Sequence, residues 1–235
     1  MKVIGLTDIG LVRKRNEDNY LIDTNRNLFV VCDGMGGHLG GDTASRLAIE
    51  TIKKELVFKD VSEFPEALEK AVQSANRIIW EAGQSAADLN EMGTTLTAAS
   101  IHGNTLWIAH VGDSSLLIIR GDEIIKLTND HTLAEHMRKD GLISEDDERY
   151  KSFHHVLVRA LGVDKNVEID VHQITVSQGD WILLCTDGLS NLVNQQEMKE
   201  TLKNENEPQT ACQQLLALAL ARGGYDNITM ILIQL

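Results

Sequence analysis

The chain is a succession of apolar blocks whose period switches between that of a strand and that of a helix. Residues 1–7 read as a strand. Residues 28–32, Leu-Phe-Val-Val-Cys, are an unbroken apolar run, the pattern of a strand buried on both faces. Residues 19–24 precede it, and Thr24-Asn25-Arg26-Asn27 between them predicts a hairpin. Over residues 41–57 the period becomes helical, with Ala44, Leu47, Ala48, Ile52 and Leu56 on one face. Ser62, with Pro65 inside the first turn, predicts the start of a second helix, whose stripe is Ala67, Leu68, Ala71, Ala75, Ile78 and Ile79.

Strand periods return over 93–127. Runs at 93–101, 106–111, 116–120 and 124–127 are separated by Gly103-Asn104, Gly112-Asp113-Ser114 and Gly121-Asp122, which predicts an antiparallel meander. A helix is expected from Thr128-Asn129-Asp130-His131 to about Asp140. The charged segment Ser144–Arg149 follows, so residues 132–162 read as an excursion from the sheet, either a flap over a site or a solvated surface helix. Strands at 168–175 and 181–185, helices at 195–204 and 208–222, and a last strand at 228–235 complete the pattern.

Composition narrows the class. With 43% apolar residues, only two prolines and no Ser/Gly/Pro-rich linker, the 235 residues are read as one domain, 1–235. No stretch approaches the ~20 apolar residues of a membrane helix. Thr7 and Asp8 interrupt the N-terminal apolar residues, so these do not read as a secretion signal. Three cysteines without zinc spacing fit a reducing cytoplasm, and all are read as packing residues. A net charge of −13 leaves no basic footprint for nucleic acid or for an anionic membrane.

The candidate chemistry sits where apolar runs end. Leu28–Cys32 ends in Asp33, followed at once by Gly34-Met35-Gly36-Gly37-His38. Asp-Gly after a strand is an ordinary turn. A carboxylate beside exposed backbone carbonyls is equally a ligand set for a hard cation. A dinucleotide fingerprint fails because Leu39 replaces its third glycine, and no Walker-type Gly-Lys-Ser/Thr occurs. No cysteine is followed at the sixth position by the arginine of a cysteine-based phosphatase. The same device recurs: Asp18, Asp113, Asp187 and Asp226 also lie where loops meet apolar strands, and Glu17 neighbours Asp18. Carboxylates gathered at one end of a sheet structure would repel one another, and divalent cations remove the conflict. All-oxygen ligands select Mg²⁺, Mn²⁺ or Ca²⁺, and two such ions suit attack by water on phosphorus. Arg13 and Arg15 lie in the same loop as Glu17 and Asp18, and arginine's planar fork suits a phosphate.

The order of these motifs resembles the metal-dependent serine/threonine protein phosphatases of type 2C, the compact bacterial members above all. The resemblance spans nearly the whole chain. It rests on Thr7-Asp8-x-Gly10, Arg13-x-x-Asn16-Glu17-Asp18, Asp33-Gly34-Met35-Gly36-Gly37-His38, Gly93-Thr94-Thr95 and Val111-Gly112-Asp113-Ser114, and then on Asp130-His131, Arg159-Ala160-Leu161-Gly162, Thr186-Asp187-Gly188-Leu189 and Asp226-Asn227.

The resemblance implies an α+β fold, an α-β-β-α sandwich of two antiparallel sheets with helices outside. It implies two core Mn²⁺ or Mg²⁺ ions. Asp33 would bridge them, the Gly34 carbonyl would ligate one, and Asp187 and Asp226 would ligate the other. Glu17 would act through a metal-bound water and Asp18 would orient such a water. Arg13 would hold the phosphate oxygens, and a metal-bound hydroxide would attack phosphorus with no phosphoenzyme. Asp113 would belong to a weaker third metal site, and 132–162 would be a flap. The expected partners are phosphorylated proteins, including a serine/threonine kinase and its substrates, and the protein is expected to be a cytoplasmic monomer.

Three positions depart from the family pattern. Met35 stands where animal members carry a histidine assigned as general acid, and His38, three residues on, need not replace it, so the proton donor is open. Asn191 stands where many members have an aspartate that helps the third metal. Lys151-Ser152-Phe153-His154-His155 lacks the family's His-Pro and Asn, so no flap contact carries over. Two other functions stay in view: a catalytically silent phosphoprotein-binding or sensor domain on the same fold, and a general small-molecule phosphoesterase.

Overall fold

The computed structural model describes residues 1–36, 40–85, 87–205 and 207–235. Two five-stranded antiparallel sheets pack face to face, with helices on both outer faces. One sheet is built from β1 (Lys2–Asp8), β8 (Ser115–Arg120), β9 (Glu123–Lys126), β11 (Trp181–Cys185) and β12 (Ile228–Gln234), in the order β1-β12-β11-β8-β9. The other holds β2 (Asn19–Asp23), β3 (Leu28–Cys32), β6 (Leu96–His102), β7 (Thr105–Val111) and β10 (Asp170–Thr175), in the order β10-β7-β6-β3-β2. This is the expected α-β-β-α sandwich.

The apolar run of β3 shows why both of its faces had to be apolar. Phe29 and Val31 point between the sheets, towards a layer with Leu116, Ile118, Ile182, Leu184, Ile231 and Ile233. Leu28, Val30 and Cys32 point outward, under α1 (Gly40–Glu55) and α2 (Phe64–Ser85). On the far side, Leu183, Met230 and Leu232 pack under α6 (Gln195–Asn204) and α7 (Pro208–Ala221). Truncating one such fully buried aliphatic side chain to alanine costs about 2–5 kcal/mol.

Several local expectations are corrected. The 93–127 segment is not one meander. β6 and β7 pair in one sheet, and the chain then crosses to form β8 and β9 in the other. The crossing runs through Gly112, whose φ of +107° lies where a side chain is strained. The strand expected to begin at Gly93 is split. Its first part, β5 (Gly93–Thr94), pairs with β4 (Gly34–Met35), and β6 starts only at Leu96. Ser62 does not start α2. The Asp60 side chain caps a 3-10 turn, Val61–Glu63, that leads into it. The helix expected from residue 128 begins at Leu133 as α3 (Leu133–Lys139), because the Thr132 side chain accepts the Glu135 N–H while His131 pairs with Gly112. A further short helix, α4 (Glu148–Phe153), carries the charged segment. The ends of the 132–162 excursion are tied together by the Leu133 N–H donating to the Val156 carbonyl at 2.8 Å.

Register places the chemistry. β2 begins, and β3 and β7 end, at one edge of their sheet, since Asn19 faces Cys32 and Val111 faces Leu96. In the other sheet β1 and β11 end, and β12 begins, at one edge, since Asp8 faces Ile228 and Cys185 faces Met230. Asp18, Asp33, Asp113, Asp187 and Asp226 flank these ends. The Thr186 hydroxyl donates to Asp18 Oδ2 at 2.9 Å, which joins the two edges.

Candidate active site

A cavity of about 470 Å³ opens at that end of the sandwich, and its wall includes Arg13, Glu17, Asp33, Gly34, Asp113, Asp187 and Asp226. The structure therefore gathers seven of the eight residues singled out by sequence. Asp18, the eighth, is not on the wall. It lies beneath it, 5% exposed, between the two sheets. Gly37 and His38 lie outside the described residues.

Asp33 is held by a hydroxyl lattice. Its N–H donates to Thr95 Oγ1 at 2.9 Å. Its carbonyl accepts from the Thr95 N–H at 2.9 Å and from the Thr94 hydroxyl at 2.8 Å. Thr95 in turn shares a 2.7 Å hydrogen bond with Ser114, next to Asp113. Gly34 must be glycine, because a Cβ there would run into the carbonyl oxygens of Gly41 and Glu17. Asp187 opens the one-turn helix α5 (Asp187–Ser190) straight after β11. Its Oδ2 accepts from Asn191 Nδ2 at 3.1 Å.

Sequence reasoning assigned no role to Asn227, which organises the loop that carries Arg13 and Glu17. Its Oδ1 accepts the Glu17 N–H at 2.8 Å. Its Nδ2 donates to the Ile9 carbonyl at 3.0 Å and to the Arg15 carbonyl at 2.9 Å. The partners lie more than two hundred residues away, so only the fold reveals them. Asn227→Ala is expected to destabilise the protein by about 1–3 kcal/mol, because three backbone groups of the loop lose their hydrogen-bond partner. Urea unfolding that shows no loss would contradict that role.

The electrostatics of the cavity are adverse for bare carboxylates. Burial, with Asp18 and Asp187 nearby, holds the Asp33 carboxyl well above the usual range. Burial pushes Asp18 up to about 7, against the hydrogen bonds of Thr229 and Thr186. Asp113 is pushed up to about 8 by burial and by Asp187. Asp187 is raised by burial and by Asp226, and Glu17 is raised by burial. Asp18 Oδ1 and Asp187 Oδ1 are buried with no hydrogen-bond partner among the described residues. Buried polar atoms are normally partnered, and a deprived carboxylate oxygen calls for a positive charge. Among the described residues Arg13 is the cation donating into this group, its Nη2 reaching Asp226 Oδ2 at 2.6 Å. That bond raises the Arg13 pKa.

The donor set fits hard divalent cations: all oxygen, mostly anionic, backed by a backbone turn. Among the described residues no three acidic, histidine or cysteine side chains already form a ligand cage for one ion. The carboxylates are spread round the wall, which suits ions such as Mg²⁺ that keep several waters.

Below Asp113 lies a second polar layer. The buried His110 ring is pushed down to about 3 by burial, and the His131 ring lies 4.9 Å from it. His131 Nδ1 accepts the Gly112 N–H at 3.0 Å, so its Nε2 carries the proton and donates to Asp170 at 3.2 Å. The contact of Arg159 with that same nitrogen is therefore not a hydrogen bond. Arg159 donates instead to Asp170 Oδ1 at 2.8 Å and to Glu168 at 3.0 Å. Leu161, two residues on, exchanges backbone hydrogen bonds with Thr94. This layer explains the Asp130-His131 and Arg159-Ala160-Leu161-Gly162 motifs as anchors of the excursion.

A doubly layered sandwich whose two sheets end at one acidic, arginine-flanked cavity defines a class of metal-dependent phosphatase folds. The model of the protein phosphatase 2C family matches residues 13–220, and the chain belongs to that family. It is 37% identical over 235 residues to the serine/threonine phosphatase stp of Listeria innocua, covering 97% of this chain and 93% of the relative. Among solved structures, the serine/threonine phosphatase of S. agalactiae superposes with a TM-score of 0.93 at 32% identity, covering 100% of this chain and 99% of the other. The catalytic domain of the phosphatase PstP, solved in complex with two manganese ions, gives a TM-score of 0.88 at 33% identity over 98% of this chain and 96% of the other.

Proposed function

We propose that this protein hydrolyses phosphoserine and phosphothreonine on other proteins, using two Mn²⁺ or Mg²⁺ ions held in the carboxylate cavity. The observation that carries this reading is the cavity itself. Buried carboxylates with raised pKa values surround a space flanked by an arginine, and Asp187 on its wall and Asp18 beneath it each have a partnerless oxygen. The likeness to relatives named as serine/threonine phosphatases, one of them solved with two manganese ions, supports it.

The proposed roles follow position. Asp33, the Gly34 carbonyl, Asp187 and Asp226 would hold the two ions, Asp33 as their shared ligand, the Gly34 carbonyl on one side and Asp187 and Asp226 on the other. Glu17 and the deeper Asp18 act through water. Asp113 serves a weaker third position, weaker still because Asn191 is neutral and already occupies one oxygen of Asp187. When bound, the ions supply Lewis-acid stabilisation of phosphoryl charge and make water a better nucleophile near neutral pH. Arg13 is paired with Asp226 and, in this reading, exchanges that carboxylate for the phosphate oxygens. Thr94, Thr95 and Ser114 keep Asp33 and Asp113 in place, so the site needs little reorganisation when substrate arrives.

The chain is taken as one catalytic domain, with 132–162 as its flap. Among the described residues no helix is long and apolar enough to cross a membrane. A cytoplasmic monomer acting on phosphoproteins, among them a serine/threonine kinase and its substrates, is the accompanying proposal.

The test of substrate class compares phosphate release from a phosphothreonine peptide, a nucleotide and a sugar phosphate. Preference for the peptide supports the reading, and faster turnover of the small phosphates contradicts it. Asp113→Ala is expected to weaken activity only mildly and to keep both core ions. Loss of both ions from that variant, measured by metal analysis, would show that the division of the site is wrong.

A further inference from the structure

The proposed reaction expels a serine or threonine alkoxide, a strong base that leaves well only when a proton reaches it. This inference rests on the phosphatase reading and adds the donor. Met35, beside the Asp33-Gly34 turn, has no proton to give. Arg13 and Arg159 on the cavity wall are too basic to act as acids, and the wall carboxylates Asp33, Asp113, Asp187 and Asp226 are given to the cations. Glu17 acts through water in the proposed site, which leaves two titratable side chains on the described wall, Asp164 and His155.

We propose that His155 is the general acid that protonates the leaving serine or threonine oxygen. Its place is fixed by its neighbours. The Val156 N–H donates to the Phe153 carbonyl at 3.1 Å, and the Val156 carbonyl accepts the Leu133 N–H at 2.8 Å. Leu157 bridges to Thr132. His155 thus sits on a tied turn after α4 and lines the same cavity as Arg13 and Asp33. Neither of its ring nitrogens has a hydrogen-bond partner among the described residues. The adjacent His154 is committed differently: its Nδ1 donates to the Lys151 carbonyl at 2.7 Å, and it lines a second cavity behind. Imidazole is the side chain most often used as a general acid.

The step balances as follows. Water adds its oxygen to phosphorus, and the bond from phosphorus to the seryl or threonyl oxygen breaks. The bonding pair stays on that oxygen, which takes the proton of the His155 imidazolium. The neutral ring regains a proton from solvent, which receives the one lost by the attacking water.

The experiment measures His155→Gln on two substrates, with Mn²⁺. One is a phosphothreonine peptide. The other is p-nitrophenyl phosphate, whose phenolate leaves without a donated proton. The expected result is a kcat on the peptide lowered roughly 100- to 1000-fold, with KM unchanged, and a kcat on the aryl ester changed less than about threefold. His155→Ala should show the same split, and Asp164→Asn should lose little on either substrate. A nitrogen-15 NMR spectrum supplies a readout besides activity: a phosphonate analogue of the peptide should shift the His155 ring signals. Equal losses on both substrates would give His155 a structural role and overturn the proposal. So would unchanged peptide turnover, or the same selective loss in His38→Ala instead. If the unaltered protein hydrolyses neither substrate, the phosphatase reading itself fails and this inference falls with it.

Discussion

Asp33→Ala is expected to lower turnover of a phosphothreonine peptide by about a thousandfold or more. The reasoning starts from position. Asp33 ends the most buried strand of its sheet, and its backbone is locked by Thr94 and Thr95, so no other carboxylate can move into its place. In the proposed site Asp33 would be the ligand shared by both ions, so its loss would release both, and Lewis-acid stabilisation is worth several kcal/mol, where about 4 kcal/mol is a thousandfold. The same variant should behave in an opposite way without metal. Burial, and then Asp18, Asp187 and Asp113, hold the Asp33 carboxyl above its ordinary range, which costs folding stability above the unfolded pKa, so without metal the variant should melt no lower than the unaltered protein near pH 8. Near-normal turnover with unchanged metal content would refute the shared-ligand role.

The second large effect is the dependence of metal stabilisation on pH. Asp18 and Asp113 titrate near 7 and 8 in the folded protein, above the 3.8 of an ordinary aspartate. At these two carboxylates the folded state without metal therefore holds more protons than the unfolded chain between pH 4 and 8. Their contribution to stability is fully present at the acid end of this window and falls as pH rises through it. A divalent cation must displace those protons, so it binds weakly at the acid end and strongly at pH 8. At a hundredfold excess over Kd the gain is about 2.7 kcal/mol, which for a chain of this size raises Tm by roughly 5–10 °C. Melting curves with Mn²⁺ and with chelator should show that gain at pH 8 and little of it at pH 5. An equal gain at both would mean that the ions bind somewhere other than these carboxylates.

The legible parts of the molecule are those written locally. Two of the strands with an acidic terminus announce themselves as apolar runs broken by Asp and Gly, as Cys32-Asp33-Gly34 and Cys185-Thr186-Asp187-Gly188 show. The capping box of α6, Asn194 with Glu197, and the proline at the start of α7 fix those helices from a few neighbouring residues. What escaped depends on partners far along the chain. Nothing near Gly112 says that β7 and β8 belong to different sheets. That follows from the pairing of β8 with β11, some sixty residues later. Asn227 and Thr186 read as ordinary polar residues until the sandwich brings them to Glu17 and Asp18. Arg13 was read from its loop as a phosphate ligand, and its bond to Asp226 closes a gap of 213 residues. Thr132 and Asp60 took the capping roles because their side chains reach the right N–H groups, a choice that propensity alone leaves among several polar residues.

The central claim is that the acidic cavity hydrolyses phosphoproteins only when it holds divalent cations. The most direct measurement is phosphate release from a phosphothreonine peptide, once with Mn²⁺ and once with chelator. Release with Mn²⁺ and none with chelator is the predicted result. Release that persists in chelator, or none from folded protein shown to hold its metal, would contradict the account.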